Sequence, residues 1–342
     1  FTKTQSAPGE ARRMLVIAQI GIGYWGPNLL RNFATNPYCK VKTVVDVAKS
    51  RRDFVRTQYP QITTTADTKT VFTDPEIDAI VIATPVATHF ELTMEALRMG
   101  KHVLVEKPMA RTPREIEEIQ ELSGKKQLVA MVGHTFIYNE AVRYLKRSVE
   151  SGKLGRIRYI YSQRLNLGRI RTDVDALWNF APHDVSIIQY LLGNPCPLRV
   201  SREGMDFVQK GIDDVVFLHI EYPGQIMANI HVSWLDPHKV RRMTIVGSKK
   251  MAVYDDVAEH KVAIYDKGIE PHAILGEGMD FDHPDFTQFN HRSGDVLLPK
   301  IDFVEPLQTE VNHFLESIQN QTPCLTGPDH ALQVVRILNK RG

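Results

Sequence analysis

The stretch "KHVLVEKPMA" (101–110) joins an apolar run, Val103-Leu104-Val105, to a carboxylate, an ammonium and a proline. Continuous apolar runs are the mark of interior strands in parallel sheets. The carboxyl ends of such strands are where open α/β sheets gather ligands. Glu106 and Lys107 therefore either solvate a strand end or work in a site. A second stretch, "IAQIGIGYWGPNLL", sets Gly21, Gly23 and Gly26 in a G-x-G-x-x-G pattern between a strand pattern and a helical one. Gly21 permits the tight turn, Gly23 lets backbone approach a pyrophosphate, and Gly26 lets helix and strand pack closely. Pro27 suits a first helical position, where its absent N–H is not missed, and the helix N-terminus then meets the pyrophosphate. Tyr24 and Trp25, inside the loop, are counted with the binding residues. Asp46 ends the next strand about 20 residues further on, where a carboxylate accepts ribose hydroxyls. That carboxylate favours NAD over NADP, although Lys49, Arg51 and Arg52 could take a 2′-phosphate or simply face solvent.

These residues need elements to hold them. Residues 14–20, 42–47, 79–84, 102–106 and 128–133 read as buried strands. Helical patterns at 89–100 and 113–124 lie between the later ones, the first placing Leu92, Ala96 and Met99 on one face and stopping at Gly100. Alternating strands and helices predict a doubly wound parallel sheet with right-handed crossovers, a Rossmann domain over 14–136. Beyond about residue 150 the texture changes. In "GQIMANIHVSWLD" Ile226, Ala228, Ile230, Val232 and Trp234 alternate with Met227, Asn229, His231 and Ser233, the period of a half-buried strand. Neighbouring runs at 215–222, 241–248 and 250–256 extend this to a large, mostly antiparallel open-faced sheet. The second α/β domain is predicted over 137–342, with amphipathic helices near its end and the last one packing back on the first domain.

The 342 residues make two domains the natural expectation. Net charge is +2, with 42 basic and 40 acidic residues interspersed, so there is no electrostatic footprint for nucleic acid or an anionic membrane. No apolar run approaches a membrane span. The opening "FTKTQSAPGEARR" (1–13) lacks the apolar centre of a signal peptide and reads as a loose arm. Cys39, Cys196 and Cys324 have no metal or redox spacing; free thiols in a reducing cytoplasm account for them. The run "FDHPDFTQFNH", with Asp282, His283, Asp285 and His291, fits no tight ligand set, so no metal is expected.

The segment "ATPVATHFELTMEALRMGKHVLVEKPMA" (83–110) resembles the signature of the Gfo/Idh/MocA family, named for glucose–fructose oxidoreductase and inositol dehydrogenase. Thr84, Pro85 and His89 lie where that family's fourth strand meets the cofactor, and Glu106-Lys107-Pro108 matches its EKP motif. The likeness continues from Met14 through "GHTFIYNEAVRYLK", "NLGRIRTDVDALWNFAPHD" and "SWLDPHKVRRMTIVGSKKMAVYDD". These last stretches look like the branch that oxidises nucleotide-linked sugars at C3. The resemblance implies a Rossmann domain, a second domain whose open sheet forms homodimers or homotetramers, and hydride transfer between nicotinamide and a sugar carbinol carbon. It also implies a cis peptide bond at Lys107–Pro108.

Oxidising a secondary alcohol needs a proton acceptor and a donor or cation for the developing alkoxide. Lys107 suits the second task as an ammonium, and the first only if its pKa is lowered. His183 titrates near neutrality unaided and is the better acceptor on chemical grounds. The family pattern has an acidic residue four positions before this histidine, where this chain has Asn179. Asparagine can hydrogen-bond a hydroxyl but cannot take a proton, so the base is His183 or Lys107. Asn179 could instead cap a helix, and His89 could either stack near the nicotinamide or merely begin a helix. Phe136, Tyr138, Asn166 and Arg169 complete the substrate-binding candidates, with Arg171 as a second cation. The leading expectation is an NAD-dependent dehydrogenase of a nucleotide-linked sugar. A free sugar or inositol, a ketosugar reduction, and a non-catalytic dinucleotide sensor are the alternatives.

Overall fold

The computed structural model describes residues 13–168, 170–271 and 289–340. The arm expected over 1–13, but for its last residue, lies outside the described residues, as do Arg169, Asp282, His283 and Asp285. The chain forms two compact units, one from Phe1–Thr135 with Glu305–Val335 and one from Phe136–Val304 with Arg336–Gly342.

The first unit runs β1 (Leu15–Ile20), α1 (Gly26–Ala34), β2 (Cys39–Val45), α2 (Lys49–Gln58), β3 (Thr63–Thr65), α3 (Lys69–Phe72), β4 (Ala79–Ile82), α4 (His89–Arg98), β5 (His102–Glu106), α5 (Pro113–Lys126) and β6 (Ala130–Gly133). Its six strands are all parallel, in the order β3-β2-β1-β4-β5-β6. The chain moves outward from β1 to β3, then returns to place β4 on the other side of β1. That reversal is the switch point where such sheets open a crevice. The strand over 102–106 occurs as expected, with Val103, Leu104 and Val105 buried. β3 is three threonines on an edge, with no apolar run to betray it.

One expectation is corrected in α4. Its buried residues are His89, Thr93, Met94, Ala96 and Leu97, whereas Met99 is exposed at the C-cap. The burial of a polar His89, held by hydrogen bonds, turns the inward stripe away from Leu92 and Met99.

The second unit runs α6 (Glu140–Glu150), β7 (Ile157–Leu165), α7 (Ala176–Leu192), β8 (Arg199–Met205), β9 (Val215–Tyr222), β10 (Ile226–Ser233), β11 (Val240–Gly247), β12 (Met251–Asp255), β13 (Val262–Pro271) and β14 (Phe289–Leu297). Eight strands order as β14-β13-β12-β11-β7-β10-β9-β8, antiparallel except for β7 beside β10. α7 packs on β7, β9 and β10. Ala228, Ile230, Val232 and Trp234 are fully buried, as the alternation requires. On the opposite face the register brings Tyr159 beside Met227 and Phe217 beside His231, and the large apolar side chains there are exposed. β8, β13 and β14 have too many polar residues to be read as strands in advance.

Two further helices, α8 (Pro306–Asn320) and α9 (Pro328–Asn339), follow. α8 packs on α1, with the Phe314 ring edge-on to Phe33 at 6.4 Å between centroids. Arg31 bonds both oxygens of Glu305, at 2.5 and 3.2 Å. Among the described residues no helix is long and apolar enough to cross a membrane.

Phe314 is fully buried, so Phe314→Ala should cost about 3–5 kcal/mol in urea unfolding. Arg31→Ala, which removes a half-exposed ion pair, should cost about 1 kcal/mol or less. Equal losses from the two would show that α8 is not held by its apolar face.

Candidate active site

The turn after β1 is built from contacts no other residue types could make. Gly21 has φ +97°, and a Cβ there would lie 2.5 Å from the Ala83 carbonyl oxygen. A Cβ on Gly26 would lie 2.6 Å from the Gly21 oxygen. Gly23 differs: its Cβ would meet only the Arg51 guanidinium, at 3.9 Å. Packing demands glycine at 21 and 26, while at 23 it leaves backbone open to a ligand. Gln19, buried in β1, donates its amide to the carbonyls of Gly21 (3.0 Å) and Gly26 (2.9 Å) and braces the loop from below. α1 starts at Gly26 without a side-chain cap, so its first N–H groups are available to an anion. Tyr24 and Trp25 are exposed in the loop.

Asp46 follows β2 and is buried. One oxygen accepts from Ile22 N and the other from Ala48 N, each at 2.8 Å, and Arg51 reaches it at 3.4 Å. The carboxylate thus ties the glycine turn to the end of β2, yet retains lone pairs for hydroxyl donors. Arg52 is occupied with the carbonyls of Asp46 and Val47. An open Gly23, an uncapped helix start and a buried carboxylate beside them suit a dinucleotide.

Thr84 and Pro85 follow β4, and the Thr84 and Thr88 hydroxyls share a hydrogen bond at 2.7 Å. His89 is enclosed. Its Nδ1 lies 2.8 Å from the Pro108 oxygen and its Nε2 2.9 Å from the Thr84 oxygen. Burial pushes its pKa down in spite of these carbonyls. It begins α4, but it also lies between the loop after β4 and the loop after β5, its neutral ring donating to one of the two carbonyls. Between Lys107 and Pro108 the peptide bond is cis.

Glu106, opposite Gly133 in the register, ends β5. A Cβ on Gly133 would sit 3.1 Å from Glu106 Oε1, so that glycine makes room for the carboxyl. Glu106 accepts from Lys107 N at 3.2 Å and from the Trp25 side chain. Loss of water pushes its pKa up to about 7, partly offset by the Lys107 charge. His134, just past β6, and His330 of α9 meet edge-on at 5.2 Å, and burial pushes both down, His330 to about 4.

In the second unit α7 is capped by Asp175, whose carboxylate accepts from Trp178 N. Asn179 therefore lies inside the helix and is not its cap, and Pro182 falls in its interior. Asn179 and His183 are one turn apart and share a face. The His183 ring lies edge-on to Phe136 at 4.9 Å, and the Arg164 guanidinium stacks over Phe136 at 4.7 Å. Arg164 is buried and pairs with Asp184 at 2.6 Å, while Ser162 donates to the same carboxylate at 2.7 Å. Asp184 is thereby committed to the β7–α7 contact, on a different side of the helix from His183. Asn166 follows β7, its N–H on the Ser233 carbonyl. Tyr138 is fully buried with Arg143 over its ring, a core position rather than a surface one. Arg171 forms an ion pair with Asp173 at 2.5 Å.

Gln19, Gly133, His134 and the Arg164–Asp184 pair escaped sequence reasoning. A glutamine in an otherwise apolar strand just before the glycine turn was the one available signal.

Gly23→Ala should leave the unfolding midpoint nearly unchanged while weakening dinucleotide binding at least about tenfold, one pKa-unit equivalent of binding energy. Gly21→Ala should instead destabilise the fold outright, by its positive φ and the Ala83 contact. Tight binding by a folded Gly23→Ala protein would remove the pyrophosphate from this loop.

Comparison with known proteins gives this geometry its context. Residues 15–134 match the oxidoreductase family with an NAD-binding Rossmann fold, and residues 142–253 match the GFO/IDH/MocA C-terminal domain. The chain is 25% identical over 332 residues to scyllo-inositol 2-dehydrogenase (NAD(+)) of Bacillus subtilis (strain 168), covering 93% of this chain and 90% of that one. It is 28% identical over 194 residues to UDP-N-acetylglucosamine 3-dehydrogenase of Acidithiobacillus ferrooxidans, 56% of this chain and 60% of that protein. A solved structure of the UDP-N-acetylglucosamine 3-dehydrogenase from Acidithiobacillus ferrooxidans has the same fold, with TM-score 0.77, 22% identity and 95% of each chain covered. With its glycine turn, EKP segment and both domains matched, the chain belongs to the Gfo/Idh/MocA family of oxidoreductases and carries that family's NAD-binding Rossmann domain.

Proposed function

We propose that this oxidoreductase removes hydride from a secondary alcohol, the C3 hydroxyl of a nucleotide-linked sugar, with NAD as the acceptor. The observation that carries the reading is Lys107, presented at the end of β5 beside Glu106 and on the sheet edge that holds the glycine turn. The C3 assignment is supported by the stretches around Asn179 and His183 and by the UDP-sugar relative. NAD is supported by Asp46, whose buried carboxylate would repel a 2′-phosphate, and by Arg52 being occupied with backbone carbonyls. The inositol relative, matched over most of its length, favours a free cyclic polyol as a second reading. The open face of the second unit's sheet supports a homodimer or homotetramer.

When bound, nicotinamide supplies the site that receives the hydride and its electron pair. Lys107 then stabilises the oxygen of the alcohol as charge develops on it. His183 takes the hydroxyl proton as the carbonyl forms, so the proton and the hydride leave separately. Phe136 limits the tilt of the His183 ring, and the Arg164–Asp184 pair holds the helix that carries it. Asn179 can hydrogen-bond a hydroxyl but cannot accept the proton.

The test is NADH formation by purified protein supplied with NAD and, separately, UDP-N-acetylglucosamine, its uronate, free hexoses, myo-inositol and scyllo-inositol. Turnover with the UDP-sugars is expected, and turnover with inositols alone would establish the second reading. No NADH from any alcohol, with NAD binding intact, would sink both. Lys107→Met and His183→Ala should each lower kcat by about 10²–10⁴-fold and leave NAD affinity nearly unchanged. Wild-type turnover by Lys107→Met would remove the lysine from the mechanism. NAD should be preferred to NADP by at least about tenfold, and Asp46→Ala should erode that preference.

A further inference from the structure

His89 stands where the loops after β4 and β5 meet, and the chemistry proposed above gives it no part. Its ring is enclosed, with 1% of the residue exposed. Both nitrogens point at backbone carbonyls, Nδ1 at the Pro108 oxygen 2.8 Å away and Nε2 at the Thr84 oxygen 2.9 Å away. Burial, joined by the Lys107 and Arg111 charges, outweighs the two carbonyls and keeps the ring neutral. A neutral imidazole has one N–H and one lone pair, so it can donate to only one of these oxygens. The two are unequal. Pro108 is buried and is followed by the fully buried Met109 and Ala110, whereas Thr84 is half-buried and Pro85 beside it is exposed. An acceptor shut away from water costs more to leave without a donor than one that water can approach. The proton therefore belongs on Nδ1, with the Nε2 lone pair turned to the Thr84 side.

Pro108 directly follows Lys107, so a bond to its carbonyl fixes the chain one residue beyond the ammonium. The other side of the contact is rigid. His89 is the first residue of α4, and Thr93, Met94, Ala96 and Leu97 of the same helix are buried. α4 also packs on both β5 and α5, so the ring is held on the framework that carries Lys107. We propose that His89 is a positioning residue of the redox site: as the neutral Nδ1–H tautomer it donates to the Pro108 carbonyl and so holds Lys107 where charge develops on the alcohol oxygen. This rests on the reading of Lys107 as the group that meets that oxygen. His89 acts through Pro108, and its own ring, enclosed with both nitrogens against backbone, is not the group that takes the proton. A reacting group misplaced by even a fraction of a bond length loses much of its effect, so a contact one residue away can govern the rate.

Two measurements test this. Nuclear magnetic resonance of the NAD-free wild-type protein with isotope-labelled histidine nitrogens, near pH 8 and so above the ordinary histidine range, should show a protonated Nδ1 and a bare Nε2 at His89. The signals are identified by their loss in His89→Asn. A proton on Nε2, or on both nitrogens, overturns the proposal. The second measurement uses amide substitutes: the side-chain amide of Asn takes the place of Nδ1, and that of Gln the place of Nε2. His89→Asn should therefore keep most of the wild-type kcat. His89→Gln and His89→Leu should each lose up to about 10²-fold in kcat, with NAD affinity nearly unchanged. Equal losses in His89→Asn and His89→Gln, or a His89→Gln protein more active than His89→Asn, would show that the bond to Pro108 does not set the rate and overturn the proposal. If no alcohol is oxidised by the wild type, the functional reading fails, and the resonance spectra still decide which carbonyl His89 holds.

Discussion

The approach of the turn after β1 to the end of β4 is the constraint on which the first unit's site depends. Gly21 passes so near the Ala83 carbonyl that no side chain fits, and Gly26 is pressed as closely on Gly21. That compression brings the start of α1 over the sheet edge, where its unsatisfied N–H groups face outward. Two buried polar side chains keep it there: Gln19 from beneath, through the carbonyls of Gly21 and Gly26, and Asp46 from the side, through Ile22 N. Such groups are costly to bury without partners, and here each is bonded to the loop it braces. His89 extends the same logic by joining the loops after β4 and β5.

Buried charge is managed differently in the two units. In the second, Arg164 and Asp184 are both out of water, paired, and further bonded by Ser162. Removing one partner of such a pair strands the other, so it fixes the position of α7 more than it adds to stability. In the first, Glu106 stands beside the Lys107 charge at the end of β5, and Glu310 of α8 is buried. Water exclusion pushes both carboxyls upward.

Much of the fold was legible because the signals were local. Val103–Val105 had to be interior, since both faces of a parallel strand are covered. β10 announced itself by alternation, since one of its faces meets α7 and the other does not. β3 and β8 were illegible for the converse reason: edge and exposed strands need no apolar pattern. Asn179 shows the limit in the site. Its type suits a helix cap, but Asp175 stands in the β-region position with its carboxylate on Trp178 N, and a helix has one start.

By itself, the sequence determined the parallel sheet, the glycine turn with Asp46 at the next strand's end, and Lys107 at the end of β5. All of these follow from spacing along one or two adjoining elements. Tertiary structure alone decided which polar residues brace that turn, that His89 is a fastening, that Tyr138 is core, and that Glu310 of α8 is buried. The reason is range. Gln19 and Gly26, or His89 and Pro108, belong to different elements, and a glutamate on an amphipathic helix looks solvated until packing shows which way it turns.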